Sequence, residues 1–193
     1  MDNFKKPKML DLGCGKNKIK NKEFLVIGID AWKKSDADVF VSCPDIPFKN
    51  QSIDKIYTRH FFEHFVYEDL VTLLKECIRI LKENGEIEII VPHYSCISAF
   101  QDPTHRMFFT KRTFYKLGPL GFRVQEVEFN WFRKPYTGRF PLIVKMMDII
   151  LKRLHSLERF FGIIGGVYEV RSVLIKDSTK IDPRHIDGAE ILD

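Results

Sequence analysis

The chain has 193 residues, of which 45% are hydrophobic and 30% charged. That balance excludes a disordered or membrane-spanning protein and suits one domain able to bury about 70% of its unfolded surface. A net charge of +5 permits an anionic substrate or a membrane surface, but without a clustered basic stripe and interleaved aromatics it speaks against nucleic acid. Cys14, Cys43, Cys77 and Cys96 form no Cys-x-x-Cys pair, so neither a zinc framework nor a disulfide scaffold is expected. No apolar run follows the basic N-terminal residues, and a reduced, cytoplasmic setting is the expectation.

In chain order, short apolar runs at residues 8–12, 24–30, 38–41, 53–58 and 86–92 read as five successive strands. Between the fourth and fifth, residues 67–83 place Leu70, Leu73, Leu74, Cys77, Ile78 and Leu81 at the spacing of a core-facing helix. Asn84-Gly85 then stops it. Residues 110–117 suit a short helix, with Thr110 as N-cap and Gly118-Pro119 as terminator. Residues 122–129 and 168–176 alternate apolar and polar positions and resemble an antiparallel pair. The tail after Lys176 is expected to be loosely held. This order predicts a single α/β domain, Rossmann-like, with a seven-stranded, mostly parallel sheet, the last strand antiparallel and helices on both faces. Its core spans about residues 8–130 and 168–176.

Met9-Leu10-Asp11-Leu12-Gly13-Cys14-Gly15 is an apolar strand ending in an acid and a Gly-x-Gly turn, and Val26-Ile27-Gly28-Ile29-Asp30 is a second strand ending in a carboxylate. Glycine lets backbone lie against a ligand, and a carboxylate on the neighbouring strand tip can accept both hydroxyls of a ribose. A dinucleotide site would need a third glycine where Lys18 stands. The Lys-rich link from Lys16 to Lys22 also leaves little room for a helix to hold a pyrophosphate.

Further along, Asp45-Ile46-Pro47-Phe48 precedes Ser52-Ile53-Asp54-Lys55-Ile56-Tyr57, and His60-Phe61-Phe62-Glu63-His64 and Ile80-Leu81-Lys82-Glu83-Asn84-Gly85-Glu86-Ile87 follow. Together with the two strand ends, these segments resemble the class I S-adenosylmethionine-dependent methyltransferases of the type-11 kind. The resemblance runs from about Lys8 to Pro92, with its parts in the family's order. It implies S-adenosylmethionine as cofactor, with Asp11, Gly13, Cys14 and Gly15 against the amino-acid portion. By the same resemblance Asp30 takes the ribose, and Ala31 and Trp32 border the adenosine. Asp45 and the Ile46 amide would meet the adenine, and His60 would belong to the segment closing over the methionine part. One departure is the short link between the first two strands, where the usual first helix is expected to shrink to a turn or two.

The acceptor half is read from chemistry. His60, His64, His93 and His105 all follow strand ends, where an open parallel sheet presents its ligand crevice. His64, His93 and His105 are therefore the candidate catalytic bases. Alignment alone can supply about 7–11 kcal/mol to such a transfer, so a base is useful rather than obligatory. His93, Asp102 and His105 are suitable metal-ligand types but lack a tight ligand spacing, and no metal is expected. The fourth strand is followed by Tyr57-Thr58-Arg59-His60 and not by the Asn/Asp-Pro-Pro-Tyr turn of the family's amino-methylating enzymes, which favours a small-molecule or glycan-like oxygen acceptor. Rival readings are an NAD-dependent oxidoreductase and a non-catalytic nucleoside- or partner-binding module.

Residues 141–161 form an amphipathic stretch, with Lys145, Asp148, Lys152, His155 and Arg159 along one face and Leu142, Met146, Ile149, Ile150, Leu154, Leu157 and Phe161 over much of the rest. Charge interrupts it too often for it to span a bilayer. A lid or core helix is the first expectation. A homodimer face, in a chain otherwise monomeric, and peripheral membrane contact are the alternatives.

Overall fold

A computed structural model of the chain describes residues 6–153, residue 158 and residues 167–181. Seven strands form one sheet in the order β3-β2-β1-β4-β5-β7-β6: β1 (Lys8–Leu12), β2 (Leu25–Asp30), β3 (Val39–Phe40), β4 (Ile53–Arg59), β5 (Leu81–Pro92), β6 (Phe122–Asn130) and β7 (Glu169–Lys176). The first five run parallel, while β7 lies antiparallel between β5 and β6. Strand order reverses between β2-β1 and β4-β5, so the C-terminal end of β1 is the switch point at which open sheets bind ligands.

The strands predicted from pattern are all present, with shifted ends. Helix α1 (Tyr67–Ile80) stops three residues before the expected Glu83 because Leu81 already pairs with Ile53. The Asn84-Gly85 turn is therefore a bulge inside β5, and Asn84 takes a positive φ of 60°. Leu70, Leu73, Leu74, Cys77 and Ile80 of α1 are fully buried with Ile87, Ile89 and Val91 of β5. The alternate positions of the sheet carry charge. Lys55 pairs with Glu86 (2.6 Å) and Glu88 (2.8 Å), and Arg171 pairs with Glu88 (2.6 Å) and Glu126 (2.7 Å).

No helix forms between β1 and β2. Lys16/Lys20 and Lys18/Lys22 would repel at i, i+4 on a helix, and the Asp11 carboxylate accepts from the Ile19 amide (2.7 Å), holding the link extended. After β5 come the short helix α2 (Ser98–Gln101) and α3 (Lys111–Leu117), the latter capped by Thr110, which accepts from the Thr113 amide. Gly118-Pro119 does not end the chain's helical path, since a 3-10 turn runs to Leu120 and Gly121, at φ 115°, provides the stop.

Helix α4 (Pro141–Arg153) is tied to the end of β6, where Asp148 accepts from the Trp131 amide (2.9 Å). Glu158 is also helical. The expected continuation through Leu154, His155, Leu157, Arg159 and Phe161 lies outside the described residues. The start of the tail is fixed, since Asp177 donates its amide to Gly121 (2.9 Å) and the Ser178 hydroxyl donates to Glu83 (2.9 Å), while the rest of the expected tail, from residue 182 on, lies outside the described residues.

Candidate active site

The turn after β1 is held from two sides. Gly13 has φ 72°, and a Cβ there would lie 2.3 Å from the Phe61 ring, so no other residue fits without displacing that ring. Gly15 has φ 55°, and nothing stands within 4 Å of where its Cβ would be. The Gly15 amide donates to Asp30 Oδ2 (2.8 Å), while Asp30 Oδ1 accepts from the Trp32 amide (2.7 Å). Asp30 thus fixes the glycine turn and keeps further lone pairs for a ligand.

This turn opens onto a cavity of about 840 Å³ lined by Asp11, Gly13, Cys14 and Gly15 on one side and by the segment from Phe132 to Gly138 on the other, with Tyr57, Arg59 and His60 between. Small-molecule sites commonly span about 300–1,000 Å³. Burial pushes the Asp11 carboxyl up to about 6, against the Ile19 amide and Lys18, and pushes the Cys14 thiol up to about 12. Cys14 is therefore a neutral thiol that packs against the turn.

The expected adenosine side stands apart from this cavity. Ala31 is exposed, and Trp32 is 46% exposed with Lys16 Nζ 4.9 Å from its ring centre. Asp45 is exposed, while Ile46 is buried and its carbonyl accepts from Arg79 (2.9 Å). Arg79 also donates to the Phe48 carbonyl (2.8 Å), so one side chain of α1 positions the whole loop. With no first helix to cover it, this shelf at the β2–β3 end is open.

A second cavity, of about 600 Å³, adjoins the first: His60, Arg133 and Tyr168 line both. Besides Pro92 and Pro103, its other walls are Glu63, His64, Ser98, Gln101, Asp102 and His105. Two of the three expected bases, His64 and His105, are here. His93 is not. It is fully buried, its Nδ1 paired with Ser95 (2.7 Å) and its Nε2 with Glu158 (2.9 Å), with the ring of Phe129 from β6 packed edge-on at 5.3 Å and the His93 amide donating to the Tyr168 carbonyl (3.1 Å). It lines neither cavity, and the set His93, Asp102 and His105 is not brought together; Glu63, His64 and His105 converge instead.

His60 sits at the junction in a left-handed conformation, φ 52°, which costs a residue with a Cβ and recurs where a site imposes it. Its Nε2 lies 2.8 Å from Glu169 Oε1 and its Nδ1 3.3 Å from Glu63 Oε1. Burial alone would lower its pKa, but the two carboxylates outweigh burial and hold it above the usual histidine value. Glu169 is fully buried and also takes Arg59 (3.0 Å) and the Lys134 amide (3.3 Å).

Sequence reasoning missed Arg59, Arg133, Tyr168 and Glu169. The one available signal was Glu169, an acid at the first position of β7.

No curated protein matches this chain. Among solved structures it resembles a SAM-dependent methyltransferase from Archaeoglobus fulgidus, with 22% identity over 89% of this chain and 86% of the other and a TM-score of 0.61. It resembles another from Methanosarcina mazei, with 14% identity over 89% and 93% and a TM-score of 0.60. A third, the [4+2]-cyclase SpnF, has 14% identity over 89% and 76% and a TM-score of 0.57. These likenesses describe the fold. Residues 10–89 match the type-11 family model, described as a methyltransferase domain. That span runs from the strand before the glycine turn into β5, so residues 10–89 are similar to a type-11 methyltransferase domain, and the fold is that of the solved SAM-dependent methyltransferases.

Proposed function

We propose that the protein is an S-adenosylmethionine-dependent methyltransferase acting on an oxygen of a small-molecule or glycan-like acceptor. The observation that carries this reading is the Gly13–Gly15 turn, held in left-handed backbone, tied to Asp30 through the Gly15 amide, and opening on the 840 Å³ cavity. The cofactor supplies an electrophilic methyl group on a sulfonium. Gly15 leaves room for its amino-acid portion, Asp11 lies within reach of an ammonium, and Asp30 can accept from a ribose. The open shelf of Trp32, Asp45 and Ile46 would receive the adenine.

In such a transfer the acceptor oxygen forms the new C–O bond as the C–S bond breaks, and its proton must leave. The polar cavity beside His60 suits this step, since a hydroxyl-rich acceptor would find His64, His105, Ser98 and Gln101 as partners. His64 and His105 are the candidate proton acceptors. His93, buried and paired, would position the β5 end and not touch substrate. Four unpaired cysteines support a reducing compartment such as the cytoplasm. No helix among the described residues is long and apolar enough to cross a membrane. Helix α4 exposes Leu142, Ile143, Met146 and Ile149, where a second copy or a membrane surface could sit.

Because one protein of the same fold is a [4+2]-cyclase, the fold by itself does not settle the reaction. Calorimetric titration with S-adenosylmethionine, S-adenosylhomocysteine and NAD tests the pocket, with binding of the first two and not the third expected. Formation of S-adenosylhomocysteine with hydroxylated candidate acceptors tests the transfer. Tight NAD binding, or cofactor binding with no turnover on any acceptor class, would sink the reading.

A further inference from the structure

The geometry points to a divalent transition-metal site of zinc type formed by Glu63, His64 and His105, with an open coordination position facing the 600 Å³ cavity. One ligand atom from each residue lies within 4.8 Å of the other two. Glu63 is 2% exposed, yet neither of its carboxylate oxygens has a hydrogen-bond donor among the described residues. His60 Nδ1 comes within 3.3 Å of Oε1 but outside hydrogen-bonding geometry, and His105 Nε2 stands at 3.9 Å. His60, whose Nε2 is taken by Glu169, thus gives Glu63 an ion pair without a hydrogen bond, and a buried carboxylate whose oxygens accept no hydrogen bond costs free energy that a bound metal cation would offset.

The two imidazoles are prepared for the task. His105 Nδ1 donates to the Ala99 carbonyl (2.9 Å), so its Nε2 carries the lone pair toward Glu63. The Thr104 hydroxyl donates to Asp102 Oδ1 (2.6 Å), which leaves its oxygen to accept from His64 Nδ1 (2.9 Å) and assigns the lone pair of His64 to Nε2. Metal-bound histidines are held this way, the second nitrogen donating to an oxygen that fixes tautomer and ring orientation. The backbone draws the segments together too, since the Glu63 carbonyl accepts from the amides of Arg106 (2.7 Å) and Met107 (3.1 Å).

Two imidazoles and one carboxylate suit zinc, cobalt or iron(II) better than magnesium or calcium, which prefer oxygen throughout. Zinc–ligand bonds of about 2.0–2.1 Å put ligand atoms roughly 3.3 Å apart. The site must therefore close by at most about 1.5 Å, and the exposed His64 side chain can close it by rotation. Three protein ligands leave a fourth position for exchangeable oxygen. Resting on the methyltransferase reading, that position would hold the acceptor hydroxyl and lower its pKa so that its proton passes to solvent in the cavity, which replaces the proton-acceptor role of His64 and His105, whose lone pairs the metal would take.

The test uses the full-length protein, stripped with chelator and titrated with Zn²⁺ and Co²⁺. One equivalent of either should bind, and the Co²⁺ form should show visible d–d absorption that shifts on adding acetohydroxamate, a small oxygen chelator. Glu63→Gln and His105→Ala should lose the metal. Thr104→Val, which removes only the orienting partner of His64, should weaken it by about 10–100-fold. Circular dichroism checks folding, and if either buried variant fails to fold, His64→Ala, on the surface, decides the point. Metal absent from the wild type, or retained equally in these variants, would overturn the site, and a Co²⁺ spectrum indifferent to acetohydroxamate would overturn the open position. S-adenosylhomocysteine affinity, measured with and without Zn²⁺, should not change, so failure of the metal site and failure of the cofactor pocket are told apart.

Discussion

His60 Nε2 lies 2.8 Å from Glu169 Oε1, joining the end of β4 to the start of β7 across 109 positions of sequence. The same oxygen takes Arg59, so one fully buried carboxylate holds His60, which lines both cavities, and Arg59, which lines the first. Removing one member of a buried ion pair typically costs about 3–5 kcal/mol. Arg59 and His60 are each 24% exposed at the side chain, so Glu169→Gln should cost somewhat less, about 2–3 kcal/mol. A denaturant midpoint unchanged from wild type would show that the brace is dispensable.

Gly15→Ala separates the fold from the pocket. The left-handed conformation costs a residue with a Cβ about 1–2 kcal/mol, and no atom of the protein meets the added methyl. The variant should therefore fold with a modest loss of stability while its affinity for S-adenosylhomocysteine falls more than tenfold. Gly13→Ala should behave otherwise, since its Cβ would strike Phe61, and should lose stability before binding is tested. Full affinity in folded Gly15→Ala would place the cofactor elsewhere.

Asp30→Ala should weaken cofactor binding by about 1.5–3 kcal/mol, the usual worth of hydrogen bonds to a charged group. It should also loosen the glycine turn, because Asp30 accepts from the Gly15 and Trp32 amides. Faster amide exchange at Gly15 and Trp32 without ligand would register this second effect. Unchanged affinity in the folded variant would remove Asp30 from the pocket.

Much of this half of the site was legible in sequence, because a glycine turn and a strand-end acid are local patterns that the parallel sheet brings side by side. The other half was not. Glu169 meets His60 only through the return of β7 between β5 and β6, and Glu63 meets His105 only because the 102–107 loop folds back on its carbonyl. His93 shows the opposite case: a histidine just past a strand end reads as available from sequence, while in the structure Phe129 of β6 and Glu158 enclose it. Local spacing marks where a strand ends, and only the packing of later elements decides which side chains remain in the open crevice.

Asp11 should give cofactor binding a pH dependence. Its folded pKa is raised by burial to about 6 from an ordinary 3.8. The folded state therefore binds more protons than the unfolded one between those values, and stability falls as pH rises through the interval. A cofactor ammonium favours the ionised carboxylate, so affinity should strengthen with rising pH, by at most about tenfold per unit below pH 6 for one linked proton. Asp11→Asn should flatten both profiles. A wild-type affinity constant from pH 5 to 7 would show that Asp11 serves only the turn.

Helix α4 is tied to the cavity rim, and its exposed face points away from it. Asp148 accepts from the Trp131 amide and pairs with Lys134, while Phe132 to Gly138 wall the cofactor cavity. Val144 and Leu151 are its buried side chains, whereas Leu142 is 81% exposed and Met146 54%. If the segment closes over bound cofactor, S-adenosylhomocysteine should slow amide exchange across residues 132–138 and the first turns of α4, and Asp148→Ala should abolish that protection. Leu142→Asp with Met146→Asp should leave affinity unchanged, because those side chains face away from Asp148. Protection that appears only with anionic liposomes, or only at high protein concentration, and that the double substitution removes, would mean instead that α4 meets a membrane surface or a second copy. The lid reading would then fall, and lipid-linked acceptors would become the first to test.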